Sequence, residues 1–510
     1  MMTKFLTEDL KQIKSHHLSP EKVENDLKKF KEGFGTLNIV RPATIGDGIL
    51  TLEENQLKHF IDVYNNSTLS RCKFVPASGA ATRMFKDLHN LIKAYNHEKS
   101  LIENLILQDL EHWQPFFENL AQLPFAKSIC HHFNFTEADL NEDQHKIEFI
   151  AYALDKKGLH LSQTPKALIP FHTYKNKCLT AFEEHLYEAA AYAKHQQKAK
   201  LHFTISEAHQ PKFNSVLNEI IDRLETETKV KFEVDFSYQS NSTDTIAINL
   251  DHSLYRDKNG KLLFRPAGHG ALLENLNQLT TDLIFIKNID NVCYNPEQKT
   301  QQTNNDYKKA IAGVCISYKT KINYFCKALN EHPSQELIRE VKQFLNDSFN
   351  LGISTEDPDQ LISELDKPIR VCGMVKNEGD PGGGPFWVQF KNGDEKLQIV
   401  EKSQIDLNCR KQIKHFEAST HFNPVDIVCS IKNAQGDIFN LQEFVDEDQG
   451  FIANKSVDGH PIKGLELPGL WNGGMAHWHT LFVEVPQQSF NPVKSIADLL
   501  KPQHQECVDV

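Results

Sequence analysis

Apolar residues recur along this chain with two periods. In residues 1–70 the spacing is helical. Ser19 and Pro20 form an N-cap and first-turn pair, Val23, Leu27 and Phe30 return on one face, and Gly33 stops the run. Thr51 and Glu54 predict a capping box for a second helix carrying Leu57, Phe60, Ile61 and Tyr64. Lys73-Phe74-Val75-Pro76 opens a strand–loop–helix unit, and residues 95–150, mostly helical and rich in aromatics, read as an insertion. From Lys200 to Asn291 strand and helix patterns alternate: strand 201–205, helix 211–224, strand 230–236, helix 271–279 and strand 283–286. That alternation predicts a largely parallel sheet with helices on both faces. Residues 305–350 are again helical, and from Ile369 onward the chain is β-rich, with Gly382-Gly383-Gly384-Pro385 as its clearest loop.

The expected fold is therefore three-layer α/β/α with a mixed, mostly parallel sheet. Its expected parts are a helical accessory region (1–70), an α/β core (71–350) with the insertion at 95–150, and a β-rich C-terminal part (351–510). The length of 510 residues suits two or three domains or one enlarged domain. A net charge of −12 without a long basic block argues against nucleic acid as a partner. No apolar run reaches about 18 residues, which predicts no membrane span. The first residues, Met1-Met2-Thr3-Lys4, lack an apolar signal core. The ten cysteines form no C-x-x-C pair and read as reduced thiols, so the expected location is cytoplasmic.

Three places carry candidate chemistry. Leu283-Ile284-Phe285-Ile286-Lys287 followed by Asn288-Ile289-Asp290-Asn291 reads as a buried strand delivering a carboxylate to the C-terminal edge of the sheet. Open α/β sheets bind ligands at that edge. A buried lone charge is costly, and a divalent cation carrying phosphates is a natural partner for Asp290. Val75-Pro76-Ala77-Ser78-Gly79-Ala80-Ala81-Thr82-Arg83-Met84 is a small-residue loop before a helix (Phe85, Leu88, Leu91, Ile92). Its amides and the helix N-terminus suit an anion, and Arg83 adds a forked donor; plain packing explains such a loop about as well. In Thr164-Pro165-Lys166-Ala167-Leu168-Ile169-Pro170 two prolines frame a lysine able to neutralise phosphate charge, the bland alternative being a surface lysine in a turn. Thr180 and Glu183 then predict a capping box for a helix through Phe182, Leu186 and Ala190.

Together these fragments resemble the divided signature of sugar nucleotidyltransferases: a small-residue loop ending in Thr-Arg, then Pro-Lys-x-Leu-x-Pro, then a helix. The halves stand far apart here, and only Gly79 remains of the usual Gly-Gly-x-Gly-Thr-Arg. Further matches resemble the UDP-sugar pyrophosphorylases, in the same order, and point to a divergent bacterial family among them. Pro266-Ala267-Gly268-His269-Gly270 is similar to their Pro-x-Gly-His-Gly, and Asn288-Ile289-Asp290-Asn291 to their Asn-x-Asp-Asn. Val400-Glu401-Lys402-Ser403-Gln404 is similar to their Val-Glu-Tyr-Ser-Glu. Phe490-Asn491-Pro492-Val493-Lys494 with Asp498-Leu499-Leu500 is similar to their Phe-x-Pro-Val-Lys and Asp-Leu-Leu. The resemblance implies a glycosyltransferase-A-like nucleotidyltransferase core. It implies that Asp290 binds Mg²⁺ and that Lys494, with Arg83 and Lys166, reaches the phosphates. It implies nucleotide contacts from Ala77, Ser78, Gly79, Thr82, Gln239, Gly268 and His269, and a sugar-phosphate side near Asn291, Glu401 and Asn423.

Thr420-His421-Phe422-Asn423-Pro424-Val425-Asp426 resembles an element near the sugar pocket or a second metal position, where Asn423 or Asp426 would complete the metal shell; an Asx turn before a strand explains it equally. His477 and His479 share one face of an expected strand, but without further ligands they do not make a zinc site. Gly382–Gly384 lacks a P-loop ending and reads as a turn or a lid. The expected reaction joins a nucleoside triphosphate, with UTP favoured by the resemblance, to a sugar 1-phosphate and releases pyrophosphate. The alternative is a nucleotide-sugar binding protein without turnover on the same fold. A structural or interaction protein, with no nucleotide bound, is the third class.

Overall fold

A computed structural model describes residues 5–505 apart from 80, 176, 294–297, 380–381, 424–425 and 458. The chain divides into two compact units, each assembled from three stretches: Met1–Phe74, Ser237–Ile286 and Asp306–Gln487 form the first, Val75–Phe236, Lys287–Asn305 and Gln488–Val510 the second.

The first unit is built on a mixed sheet. Its strands lie in the order Thr44–Ile45, Gly48–Leu50, His479–Glu484, Ile369–Lys376, Asp426–Ser430, Leu283–Lys287, Arg71–Pro76. Leu283–Lys287 pairs parallel with Arg71–Pro76, Ile369–Lys376 parallel with His479–Glu484, and the next two pairs along are also parallel. Asp426–Ser430 runs antiparallel to Ile369–Lys376. The strand Leu283–Lys287 is buried at every position, as an apolar run covered on both faces must be. Phe74, Ile284, Ile286, Cys372, Met374, Ile427, Cys429 and Phe482 share one core. A second, antiparallel sheet joins Asn38–Pro42, Gly384–Gln389 and Glu395–Val400.

The N-terminal helix Pro20–Glu32 forms as its pattern predicts. Ser19 Oγ accepts the Lys22 amide, Val23, Leu27 and Phe30 are buried, and Gly33 closes the helix at φ +79°. The next helix departs from expectation: Glu54–Asn66 is capped at Glu53, whose amide donates to the Gln56 side chain at 3.1 Å, and Thr51 stands outside it. The helices Gln298–Glu331 and Gln335–Phe349 fill the stretch expected to be helical. Among the described residues no helix is long and apolar enough to cross a membrane.

The second unit combines strand Lys198–Thr204 and its neighbour Lys231–Ser237 with helix Gln210–Thr228, an antiparallel hairpin Pro170–Tyr174/Lys177–Thr180, and the helical segment through Leu154. Its apolar cluster draws Phe116, Phe117, Ile129, Phe149 and Leu154 together with Val493, Ile496 and Leu499. The C-terminal segment is thus seated in the core of this unit. Strands Arg71–Pro76 and Leu283–Lys287 both run out of the first unit at their C-terminal ends, and the loops that follow them belong to the second.

Candidate functional site

The small-residue loop follows strand Arg71–Pro76. Ala77 is buried and its N–H donates to the Thr204 carbonyl at 2.8 Å, so that amide is spent on the fold. Ser78, Gly79, Thr82 and Arg83 are exposed; Ala80 lies outside the described residues. A one-turn helix Ala81–Arg83 intervenes before the α-helix Lys86–Ala94. A turn, not the α-helix, therefore follows the loop directly, because Met84 and Phe85 bury first. The Arg83 side chain forms no hydrogen bond or ion pair with another described residue.

Lys166 opens the one-turn helix Lys166–Leu168, where Pro165 and Pro170 restrict the chain on either side. Its backbone N–H donates to the Gly79 carbonyl at 3.3 Å, which brings the two halves of the divided motif side by side. Its ammonium group donates to Asp290 Oδ2 at 2.7 Å, and Lys494 Nζ reaches the same oxygen at 3.2 Å. Residues 166, 290 and 494 thus converge on one point.

The Asp290 loop is stapled to the C-terminal segment. Val493 N–H donates to the Asp290 carbonyl at 3.0 Å. Asn291 accepts from the Asn491 amide at 2.8 Å and donates to the Ser489 carbonyl at 3.3 Å. The buried Asn291 amide therefore holds backbone together. Asp498 accepts the amides of Lys494 and Ser495 at 2.8 and 2.7 Å and pairs with Lys501 at 2.7 Å.

The electrostatics follow from this count of charges. Burial pushes the Asp290 carboxyl up, but the two ammonium groups outweigh it and hold the acid below its ordinary range. Burial pulls the Lys166 ammonium below its ordinary value against the attraction of Asp290. Two cations share one carboxylate, so the cluster carries one excess positive charge. The Lys494 side chain is 64% exposed, which puts that excess where an anion can meet it.

A metal held by the protein alone does not fit. Among the described residues no group of three or more His, Cys, Asp and Glu side chains is placed to hold one. One carboxylate does fit a magnesium ion that arrives on phosphate oxygens and keeps several waters.

The remaining candidates belong to the first unit. Gly268 has φ +77°, and a Cβ there would fall 1.8 Å from the Glu466 carboxylate, so only glycine fits. His269 stacks on Trp471 at 4.2 Å and accepts the Leu470 amide on Nδ1; burial holds its ring down to about 4. Gln239 donates to Thr243 Oγ1 at 3.3 Å. Glu401 accepts from the Asn472 side chain at 3.1 Å, and burial raises its carboxyl. The Asn423 amide donates to the Gly383 carbonyl at 3.0 Å; Pro424 and Val425 lie outside the described residues. Asp426 is buried and paired with the buried ammonium of Lys308. The two carboxylates considered as metal ligands, Asp290 and Asp426, thus fall in different units and each faces lysine.

His479 begins its strand, stacks on Phe349 at 4.0 Å and bonds the Leu365 carbonyl, while His477 precedes the strand; His479 is a neutral core residue. In the glycine run, a Cβ on Gly382 would fall 2.1 Å from the Phe422 ring and one on Gly384 2.8 Å from Ser419 Oγ. Gly384 opens the strand Gly384–Gln389 and is buried, while Gly382 stands exposed just before it. The sequence reading missed Lys308, Lys287, Glu188, His172 and His504. Glu188 interrupts an apolar stretch and Lys287 ends one, which was the available signal; Lys308 and His504 stand among polar neighbours and carry none.

The family that contains this chain is the one described as Domain of unknown function (DUF4301), whose model matches residues 6–505. A comparison with curated protein sequences finds no match. Among solved structures the chain is similar to a mutant UDP-glucose pyrophosphorylase from Leishmania major in complex with UDP-glucose, at 12% identity and TM-score 0.44, over 98% of this chain and 79% of that one. A UDP-glucose phosphorylase from Trypanosoma brucei is similar at 12% identity and TM-score 0.41, over 96% and 77%.

Proposed function

We propose that this protein is a sugar-1-phosphate nucleotidyltransferase, with UTP its favoured triphosphate. One observation supports this reading above the rest: motifs far apart in the chain meet in Lys166, Asp290 and Lys494, which together carry an uncompensated positive charge. A sugar phosphate oxygen is already a nucleophile, so transfer to the α-phosphorus requires alignment and charge neutralisation and no covalent protein intermediate. In this reading Asp290 would hold a Mg²⁺ ion carried on the triphosphate, which would supply neutralisation of phosphate charge. Lys166 and Lys494 donate to phosphate oxygens, and Arg83 adds a donor from the exposed turn. Pyrophosphate release, measured with magnesium across the four common triphosphates and several sugar 1-phosphates, tests it. Absence of turnover with every pair, from a folded protein, sinks it.

A second reading has its own support. Ala77 has no amide free for phosphate, and Gly79 is the sole glycine in the loop. A protein that binds a nucleotide sugar without turning it over would show calorimetric binding and no magnesium-dependent pyrophosphate release.

A further inference from the structure

Asp290 and Lys494 come from separate segments, and one helix holds both. Ala181–Glu188 buries Glu183, Glu184, His185 and Glu188, and its Thr180 and Glu183 form the expected capping box. Each buried group has a partner. Glu183 pairs with Arg223 at 2.6 Å. Glu188 accepts from the Lys287 ammonium at 2.6 Å, and His185 Nε2 lies 3.2 Å from the Ile289 carbonyl, so the loop leading to Asp290 is fixed to the helix at two points.

Glu184 serves the other segment. It accepts the Tyr174 hydroxyl at 2.9 Å and lies 2.7 Å from His172 Nδ1. His172 Nε2 meets His504 Nδ1 at 2.8 Å, and the two rings stack at 5.1 Å. His504 is 2% exposed; Asp498, Lys501 and the Asn491 backbone also face it. A buried polar chain costs desolvation that apolar side chains of equal volume would avoid. What it adds is direction, because hydrogen bonds admit one separation where apolar packing admits several. Helix Ala181–Glu188 is thus the common datum for both segments.

We propose that Glu184, His172 and His504 are positioning residues: they latch the segment 488–505 to this helix and so set where Lys494 stands relative to Asp290 and Lys166. The latch itself rests on geometry alone; its consequence for turnover rests on the proposed function.

His504→Leu keeps the bulk and removes the hydrogen bond, and His504→Gln restores a polar group. Amide hydrogen exchange and acetylation of Lys494 by acetic anhydride, read by mass spectrometry, report the latch without any assay of turnover. In His504→Leu, exchange across 488–493 should rise at least tenfold and Lys494 acetylation severalfold, with helix Gln210–Thr228 unchanged; His504→Gln should fall between. In the pyrophosphate assay kcat should drop tenfold or more while KM for the triphosphate moves less than threefold. Unchanged exchange and acetylation in His504→Leu overturn the latch. Should that variant not fold, His504→Gln decides, and wild-type behaviour at 488–493 overturns it. If the wild-type protein turns over no pair, the proposed function fails, while exchange and acetylation still judge the latch.

Discussion

Asp290 and Asp426 stand at two ends of a contrast. Each is a buried carboxylate beside a strand, and each faces lysine. The paired side chains of Asp426 and Lys308 are 8% and 5% exposed. Around Asp290 two lysines compete for one carboxylate, and one of them is largely open to solvent. The pair sealed from water serves the fold, while the open cluster leaves a positive charge facing solvent. The residue types are the same, and exposure separates the two settings.

The largest effect expected is on stability, at the sealed pair. Lys308→Met strands a buried carboxylate and should cost about 3–5 kcal/mol, lowering Tm by roughly five to eight degrees in a thermal melt. Adding Asp426→Leu should recover much of the loss; failure to recover would mean that Asp426 has a second task. At the open cluster the same kind of change should fall on chemistry. Asp290→Asn or Lys494→Ala should reduce pyrophosphate release by about 10²–10³, while Lys494→Ala shifts the unfolding free energy by less than about 1 kcal/mol. Equal losses of stability at both pairs would erase the contrast.

Acid should distinguish the units next. His269 and His479 in the first unit are held neutral down to about 4 and about 3, and His504 in the second down to about 3, all by burial first. Their ordinary value is 6.5, so below it the unfolded chain binds protons that the fold refuses. Stability is full above 6.5 and falls as pH drops toward 4, by up to about 1.4 kcal/mol per pH unit for each group. Denaturant unfolding followed by hydrogen exchange at pH 7 and pH 5 should show the first unit weakened more than the second. The smallest effect belongs to Gly79. A Cβ there meets nothing within 4 Å, so Gly79→Ala should leave stability within about 0.5 kcal/mol. If phosphate lies over the loop, triphosphate affinity measured by calorimetry should still fall by about tenfold, or ~1.4 kcal/mol. Wild-type affinity would place the phosphate elsewhere.

Asp290 was legible because an apolar strand ending in a charge is an uncommon string. Lys166 was legible as a lysine framed by prolines, and Lys494 through motif resemblance. The Ser19 cap and the Thr180–Glu183 box were legible because capping is a local exchange of hydrogen bonds. Thr51 misled because Glu53 and Gln56 supply a competing cap two residues later. That Asn291 holds Ser489 and Asn491, partners about two hundred positions away, shows in no local pattern.

The amino-acid sequence by itself determined the alternation of strands and helices, most helix ends and the residue types at the candidate site, since these depend on period, capping and backbone restriction within a few positions. Tertiary structure alone decided that one carboxylate is shared by two lysines while another is buried with Lys308, that the Ala77 amide is spent on Thr204, and that Glu184, His172 and His504 form one hydrogen-bonded chain. Charge balance and solvent access are sums over neighbours distant in sequence, and they take a value only once the chain has folded.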